Sequence, residues 1–438
     1  MRIFLTFICF TFILAPCTHA QEPLTLQQAI ERALKNNYSI KIARNNQQIA
    51  KNNYTRGNAG FLPDLSLDYN RTYGVQSFEQ QRASGDVVNR DGAQNQREVY
   101  GAALNWTIFD GFKMFTTYDQ LGELNEQSEQ ATQAQIELLV YNISTAFYTA
   151  AQEKERLALY KSNVELSEER LRIAKDKYEL GKASKLEYLQ AQVDLNADKS
   201  AMIRQMETFT IKKLDLMRLM AVEVEADTLP FVIEYTITND QNLQLAVLLD
   251  NMESENAELL ALRKEQIIAL HNEKITKGDR LPEVGLFANY SRSNFESPAG
   301  FVLSGSSDDL TYGLTARWTL FDGFNVQRRI ENTKIQYQSA QYQYADKLLE
   351  YNTAIKTRFV NYKNSLDLLA LEGENLDVAK ENNEIAQERY QIGLSNALEL
   401  RESQINLINA ELRYQDAAFA AKQAEVELKY LSGMLSPE

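Results

Sequence analysis

The chain has 438 residues, with 46 basic and 60 acidic side chains and a formal net charge of −14. That excess of negative charge repels nucleic acid and excludes a phosphate-backbone partner. Hydrophobic residues make up 44%, yet there are only 7 Pro and 18 Gly, too little punctuation for a β-rich globule and well suited to long helices.

Residues 1–20 read as a secretory signal: Arg2, an apolar stretch from Ile3 to Leu14, and Thr18-His-Ala20 as a cleavage site before Gln21. Cys9 and Cys17 both lie inside it, so a chain starting at Gln21 has no thiol chemistry. Acylation of Cys17 is the competing reading, disfavoured by Pro16, where lipoprotein signals carry a small residue. Losing Arg2 leaves 45 basic against 60 acidic residues, a net −15. No later stretch supplies the roughly 18 consecutive apolar residues of a membrane helix. An exported chain of this kind is either soluble or sits in an outer membrane as β-strands.

A helix over about 25–57 comes first. Two alternating segments follow: Leu65, Leu67, Tyr69, Tyr73 and Val75 against Ser66, Asp68, Asn70 and Thr72; then Tyr100, Ala102, Leu104, Trp106 and Ile108 against Gly101, Ala103, Asn105 and Thr107. Period two marks strands with one apolar and one polar face. Pro63 enters this hairpin and Asp110-Gly111 leaves it, as elbows between helix and strand. From Phe112 to Tyr178 there is no Pro, and Leu157, Tyr160, Val164, Leu171, Ala174 and Tyr178 form a coiled-coil seam. About 65 helical residues span roughly 100 Å. A return helix covers about 184–221.

The order then repeats. A helix over about 241–277 leads through Pro282 to two more strands: Val284, Leu286, Ala288 and Tyr290; then Leu310, Tyr312, Leu314, Ala316, Trp318 and Leu320. Asp322-Gly323 leads out to helices over about 324–390 and 396–431. Trp106-Thr-Ile-Phe-Asp-Gly-Phe112 recurs as Trp318-Thr-Leu-Phe-Asp-Gly-Phe324, an offset of 318 − 106 = 212. Phe147 meets Phe359, Tyr178-x-x-Gly181 meets Tyr390-x-x-Gly393, and Leu186-Glu187 meets Leu398-Glu399 at the same offset. The chain thus divides into the signal (1–20), a first repeat (21–230) with a β-hairpin at about 64–110 and a helical hairpin at about 112–221, and a second (231–438) with the corresponding hairpins at about 283–322 and 324–431. Polar connections at about 76–98 and 292–309 are expected as long outward loops.

Each strand has the length of a tilted membrane strand, with aromatics toward its ends. Four strands cannot close a barrel and open edges are not tolerated in hydrocarbon, so several copies must pool their strands. Two copies give a narrow barrel filled by side chains, and three give twelve strands and room for water.

Together the elbows at 62–65 and 281–284, the Phe-Asp-Gly-Phe returns and the paired Tyr-x-x-Gly turns resemble the TolC-like outer-membrane efflux proteins, over nearly the whole chain after the signal. The resemblance implies a mainly α fold with a β membrane part, in which a homotrimer forms a twelve-stranded barrel in outer-membrane lipid continued by a periplasmic α-barrel. It implies a passive exit duct opened by a periplasmic adaptor (membrane fusion) protein and fed by an inner-membrane transporter of RND or ABC type, with no enzyme activity. It places the adaptor contact at the hairpin tips, Leu180, Gly181, Ile392, Gly393 and Leu394. It also makes Glu399 and Glu402, one helical turn apart, a cation ring at the periplasmic mouth, joined by Glu187.

Ser184-x-x-Glu187 and Asn396-x-x-Glu399 also read as capping boxes, with the carboxylate folded back on the backbone. The family carries an arginine where Ser395 stands, which leaves Arg389 or Arg401 to serve any latch on Tyr390. Type I protein secretion is an alternative through the same channel, and a soluble periplasmic coiled-coil scaffold one from another class. The only histidine beyond the signal, His271, is expected to be structural. No metal, phosphate or nucleophile motif occurs, and no cofactor is expected.

Overall fold

The computed structural model describes residues 22–81, 83–223, 231–297 and 302–435, so the signal segment with Cys9 and Cys17 lies outside the described residues. In chain order the first half runs β1 (Glu22–Leu24), α1 (Leu26–Asn36), α2 (Tyr38–Asn53), β2 (Asp64–Gln81), β3 (Val87–Phe109), α3 (Lys113–Glu179) and α4 (Lys185–Leu219). The second runs β4 (Phe231–Ile233), α5 (Leu245–Glu255), α6 (Ala257–Gly278), β5 (Glu283–Glu296), β6 (Ser304–Arg317), α7 (Asn325–Gln391) and α8 (Ala397–Leu431). Helices α3 and α7 have 67 residues each, so the two copies reach the same depth.

The helices expected as single pieces at 25–57 and 241–277 are each broken, at Asn37 and Asn256. The break has a purpose in the packing. Asn37 caps α2 by accepting from the Ser39 N–H at 2.8 Å, while its amide donates to the Leu219 carbonyl at the end of α4, also at 2.8 Å. Asn256 caps α6 through the Leu259 N–H at 3.0 Å and donates to the Leu431 carbonyl ending α8 at 3.1 Å. One side chain at each joint satisfies orphan groups of two helix ends, which sets the short helices end to end with the return helices.

Strands β2, β3, β5 and β6 form one antiparallel sheet in that order. Their register puts Leu67, Ala102, Tyr290 and Leu310 side by side in one row, and Leu65, Leu104, Ala288 and Tyr312 in the next. Ser66, Ala103, Asn289 and Thr311 form a row on the opposite face. The apolar face is uncovered, with Leu67 82% and Tyr312 75% exposed, as a lipid-facing surface must be in one isolated copy. The long loops expected at 76–98 and 292–309 are mostly strand instead: β2 continues to Gln81, β3 starts at Val87, β5 runs to Glu296 and β6 starts at Ser304. In these outer ends polar side chains stand on both faces and pair across the strands, as Asn95 does with Gln76 and Arg97 with Ser293, so no apolar alternation is left to read. The fourth strand, expected to reach Leu320, ends at Arg317.

The elbows are built twice from the same parts. Pro63 and Pro282 each precede a strand, where a missing N–H costs no ladder bond. The Trp106 indole N–H donates to the Phe61 carbonyl at 2.9 Å, and the Trp318 indole to the Arg280 carbonyl at 3.0 Å, tying strand end to strand start. At the exits Gly111 and Gly323 have φ of 76° and 69°, and the next residues, Phe112 and Phe324, are also left-handed at 67° and 62°. Each strained phenylalanine packs edge-on against the ring three residues earlier, Phe109 or Phe321.

A belt crosses the helices part-way down. Strand β1 pairs in parallel with β4, and the chain beyond β4 runs extended over all four long helices. Every helix takes hold of it: Lys213 of α4 donates to the Phe231 carbonyl, Lys154 of α3 to Ile233, Lys422 of α8 to Thr238 and Tyr362 of α7 to Asp240, while Glu425 of α8 accepts from the Asp240 N–H at 3.1 Å. Two apolar cores flank this strap, one around Phe147, Leu216, Met217 and Phe231, the other around Leu248, Tyr351, Ile355 and Leu428.

Candidate gate at the helical tips

The helical hairpins α3–α4 and α7–α8 turn at the end far from the sheet. Gly181 has φ 69°, its N–H reaching the Tyr178 carbonyl at 3.0 Å while the Lys182 N–H reaches Lys177 at 2.8 Å. Gly393 has φ 79°, with the Gly393 N–H on Tyr390 at 3.3 Å and the Leu394 N–H on Arg389 at 2.8 Å. This double closure needs a left-handed residue just past the helix, hence the glycines. Leu180, Ile392 and Leu394 around them are exposed and form an apolar edge.

Glu187 and Glu399 sit in the first turn of α4 and α8, their N–H groups capped by Ser184 at 3.2 Å and Asn396 at 2.9 Å. Their carboxylates, expected to fold back on the caps, have partners elsewhere. Glu187 accepts from the Tyr390 hydroxyl at 3.2 Å, and Glu399 faces Arg389 at 3.6 Å. A phenol or guanidinium brought in by a neighbouring helix outcompetes the cap residue's own backbone N–H for the carboxylate. Glu402 is exposed one turn on and shares a groove between α7 and α8 with Arg389 and Glu399.

Tyr390 is the centre of the arrangement, 1% exposed. Lys177 from α3 lies 3.7 Å above its ring and donates to its carbonyl at 3.1 Å. Burial, the Glu187 charge and the hydrogen bond to it push the hydroxyl pKa up to about 12, which keeps it a neutral donor. The arginines expected at Tyr390 work elsewhere: Arg389 on Glu399, and Arg401 on Asp198 of α4 through two 2.9 Å bonds. Ser167 donates to the same carboxylate. Burial works to raise the Asp198 pKa, but the bonds from Arg401 and Ser167 outweigh it and hold the group below the usual carboxylate range. Arg170 of α3, 3% exposed, donates to Asp194 at 2.9 Å and reaches Gln404 of α8 at 3.4 Å. Four polar links thus join the two hairpins near their tips, around a cavity of about 550 Å³.

Asp198, Arg170 and Lys177 were not legible as site residues. A signal existed: at the offset of 212, Asp198 corresponds to Ala410, Arg170 to Asn382 and Arg401 to Leu189. At these three positions a charge present in one copy only is used to reach the other hairpin or to hold the side chain that does, whereas Lys177 keeps its charge in the second copy as Arg389. Among the described residues no three His, Cys, Asp or Glu side chains converge as a metal site, and no helix is long and apolar enough to cross a membrane.

The family model for outer membrane efflux proteins matches residues 29–222 and 248–434. The chain belongs to that family. It is similar to the alkaline protease secretion protein AprF of Pseudomonas aeruginosa, 20% identical over 94% of this chain and 85% of AprF. It is similar also to the probable efflux pump outer membrane protein TtgC of Pseudomonas putida, 22% identical over 93% of this chain and 83% of TtgC. In fold it matches the CmeC outer membrane channel of Campylobacter jejuni with a TM-score of 0.79 at 16% identity, over 93% of this chain and 85% of CmeC. Membership makes the sheet the outer-membrane part of an efflux channel and the long helices its periplasmic extension, and it leaves the soluble-scaffold reading without support.

Proposed function

We propose that three copies of this chain form the exit duct of a tripartite export system. Their sheets join into a twelve-stranded barrel and their helices into a periplasmic tube. The observation that carries this is the sheet itself: uncovered apolar rows on one face, and edges, β2 and β6, that pair with no other strand among the described residues. The tube is closed at its tips by the Tyr390–Glu187 and Arg401–Asp198 links. Docking of a periplasmic adaptor on Leu180, Gly181, Ile392, Gly393 and Leu394, with an RND or ABC transporter behind it, untwists the inner hairpins and breaks them. Glu399 and Glu402 from three copies ring the mouth and favour cations.

Purified protein added to a planar bilayer is expected to conduct, with block by divalent cations weakened in the Glu399→Ala/Glu402→Ala variant. Absence of any conductance refutes the duct; conductance with unchanged block removes the ring alone. A second reading, type I protein secretion, is favoured by the likeness to AprF. Co-purification with an ABC rather than an RND transporter decides for it.

A further inference from the structure

Just tipward of the strap, over α8 and between α3 and α7, lies a second cavity of about 400 Å³. The strap contributes Tyr235, Ile237 and Asn239, alternate residues of an extended segment. The walls are apolar, from Leu159, Leu369, Leu376 and Phe419. Acceptors outnumber donors among its polar groups, the Tyr414 hydroxyl being the exposed donor. The Asn239 and Gln415 side-chain oxygens are buried with no hydrogen-bond partner, and Glu155 and Glu411 add two carboxylates. The Tyr235 hydroxyl is already committed to Glu155. Burial raises the Glu411 pKa and only Lys380 opposes it, so that carboxylate is under-compensated where it stands.

We propose that this cavity binds an organic cation, a primary ammonium or guanidinium group on a short apolar stem. The inference is independent of the duct reading. Two unpartnered carbonyl oxygens and two carboxylates ask for a ligand with several N–H donors and a positive charge. An anion would face the Glu155 and Glu411 carboxylates. A metal ion would lack a third carboxylate, since no three such groups converge among the described residues. The surrounding leucines and the Tyr235 and Phe419 rings, whose centroids are 5.8 Å apart, suit a hydrocarbon stem. The source is either a free amine or a Lys or Arg side chain of a bound protein, which share this chemistry.

The test titrates the full-length protein, in detergent or nanodiscs, with phenethylammonium, phenethylguanidinium and the uncharged 3-phenylpropanol, followed by calorimetry or ligand-observed NMR. Both cations should bind saturably and the alcohol at least about tenfold more weakly, equivalent to some 1.4 kcal/mol. Glu411→Gln, which keeps the shape, and Gln415→Leu, which removes one unpartnered oxygen, should each weaken the cations while leaving oligomeric state unchanged. Short Lys- or Arg-bearing peptides with apolar neighbours form a second arm. Tighter binding of the peptides assigns the source to a protein side chain, and tighter binding of the free amines to a small molecule. Equal binding of the alcohol, no saturable binding of either cation, or affinity that survives both substitutions overturns the proposal.

Discussion

Removing the links between the hairpins should open the tube without an adaptor. The Arg401 and Asp198 side chains are 18% and 9% exposed, so their pair sits between the surface and fully buried limits, at about 2 kcal/mol. The Tyr390–Glu187 bond joins a buried phenol to a half-buried carboxylate and adds about 1 kcal/mol. Deleting both with Asp198→Ala/Glu187→Ala costs the closed form about 3 kcal/mol per copy, a shift of roughly a hundredfold in each hairpin's open-to-closed ratio. Planar-bilayer recording reads this as a larger and more frequent open state. Arg401→Ala should resemble Asp198→Ala, and the two together should fall short of their sum, since one interaction cannot be lost twice. Acid supplies the same perturbation. The depressed Asp198 pKa means its contribution is complete above the ordinary aspartate value of about 3.9 and is lost only as pH falls below it. A variant that assembles normally yet conducts like the parent would refute the latch.

The remaining predictions concern the scaffold. Gly111→Ala and Gly181→Ala both place a side chain at positive φ, but their surroundings differ. A Cβ at Gly111 would collide with the Gly278 carbonyl oxygen and stand 2.9 Å from Leu281, whereas nothing lies within 4 Å at Gly181. Gly111→Ala should therefore abolish assembly in the membrane, while Gly181→Ala loses only about 1–2 kcal/mol to backbone strain, as read by heat-modified mobility. Lys213 is 5% exposed and its strap bond is its polar anchor, so Lys213→Met should leave the Phe231 carbonyl short of a donor. The expected loss is about 1–3 kcal/mol, seen as faster proteolysis of the segment between α4 and α5.

Much of this architecture was legible because the repeat keeps local rules twice over. Identical elbows, identical turns and equal helix lengths need no tertiary knowledge. What escaped had tertiary causes. Asn37 and Asn256 break helices whose periodicity continues through them, because their side chains answer carbonyls 182 and 175 residues away. The strap alternates, with Phe231, Ile233, Tyr235 and Ile237 turned in and Glu234, Thr236 and Thr238 out, but only three of its residues pair as a strand and the rest is held by side chains of the long helices. The Glu187 and Glu399 carboxylates satisfy a local capping pattern, yet go to Tyr390 and Arg389, which only packing brings near.

The central claim is that copies share one closed sheet, and the repeat fixes how. Within the chain β3 pairs with β5, with Ala103 opposite Asn289. The partner of β3 in the second repeat is β6, offset by 212. That of β5 in the first is β2, offset by 282 − 63 = 219 between the elbow prolines. The same pairing between copies sets Thr315 opposite Asn70 of the next copy. Their Cα atoms would then be about 4.5–5.5 Å apart, within disulfide reach, while a two-residue slip of about 7 Å would exceed it. Oxidation of Thr315→Cys/Asn70→Cys in intact outer membranes should yield covalent dimers and trimers, and Thr311→Cys/Asn70→Cys should yield none. Monomer alone from the first pair, in protein that reaches the membrane, would contradict the shared barrel.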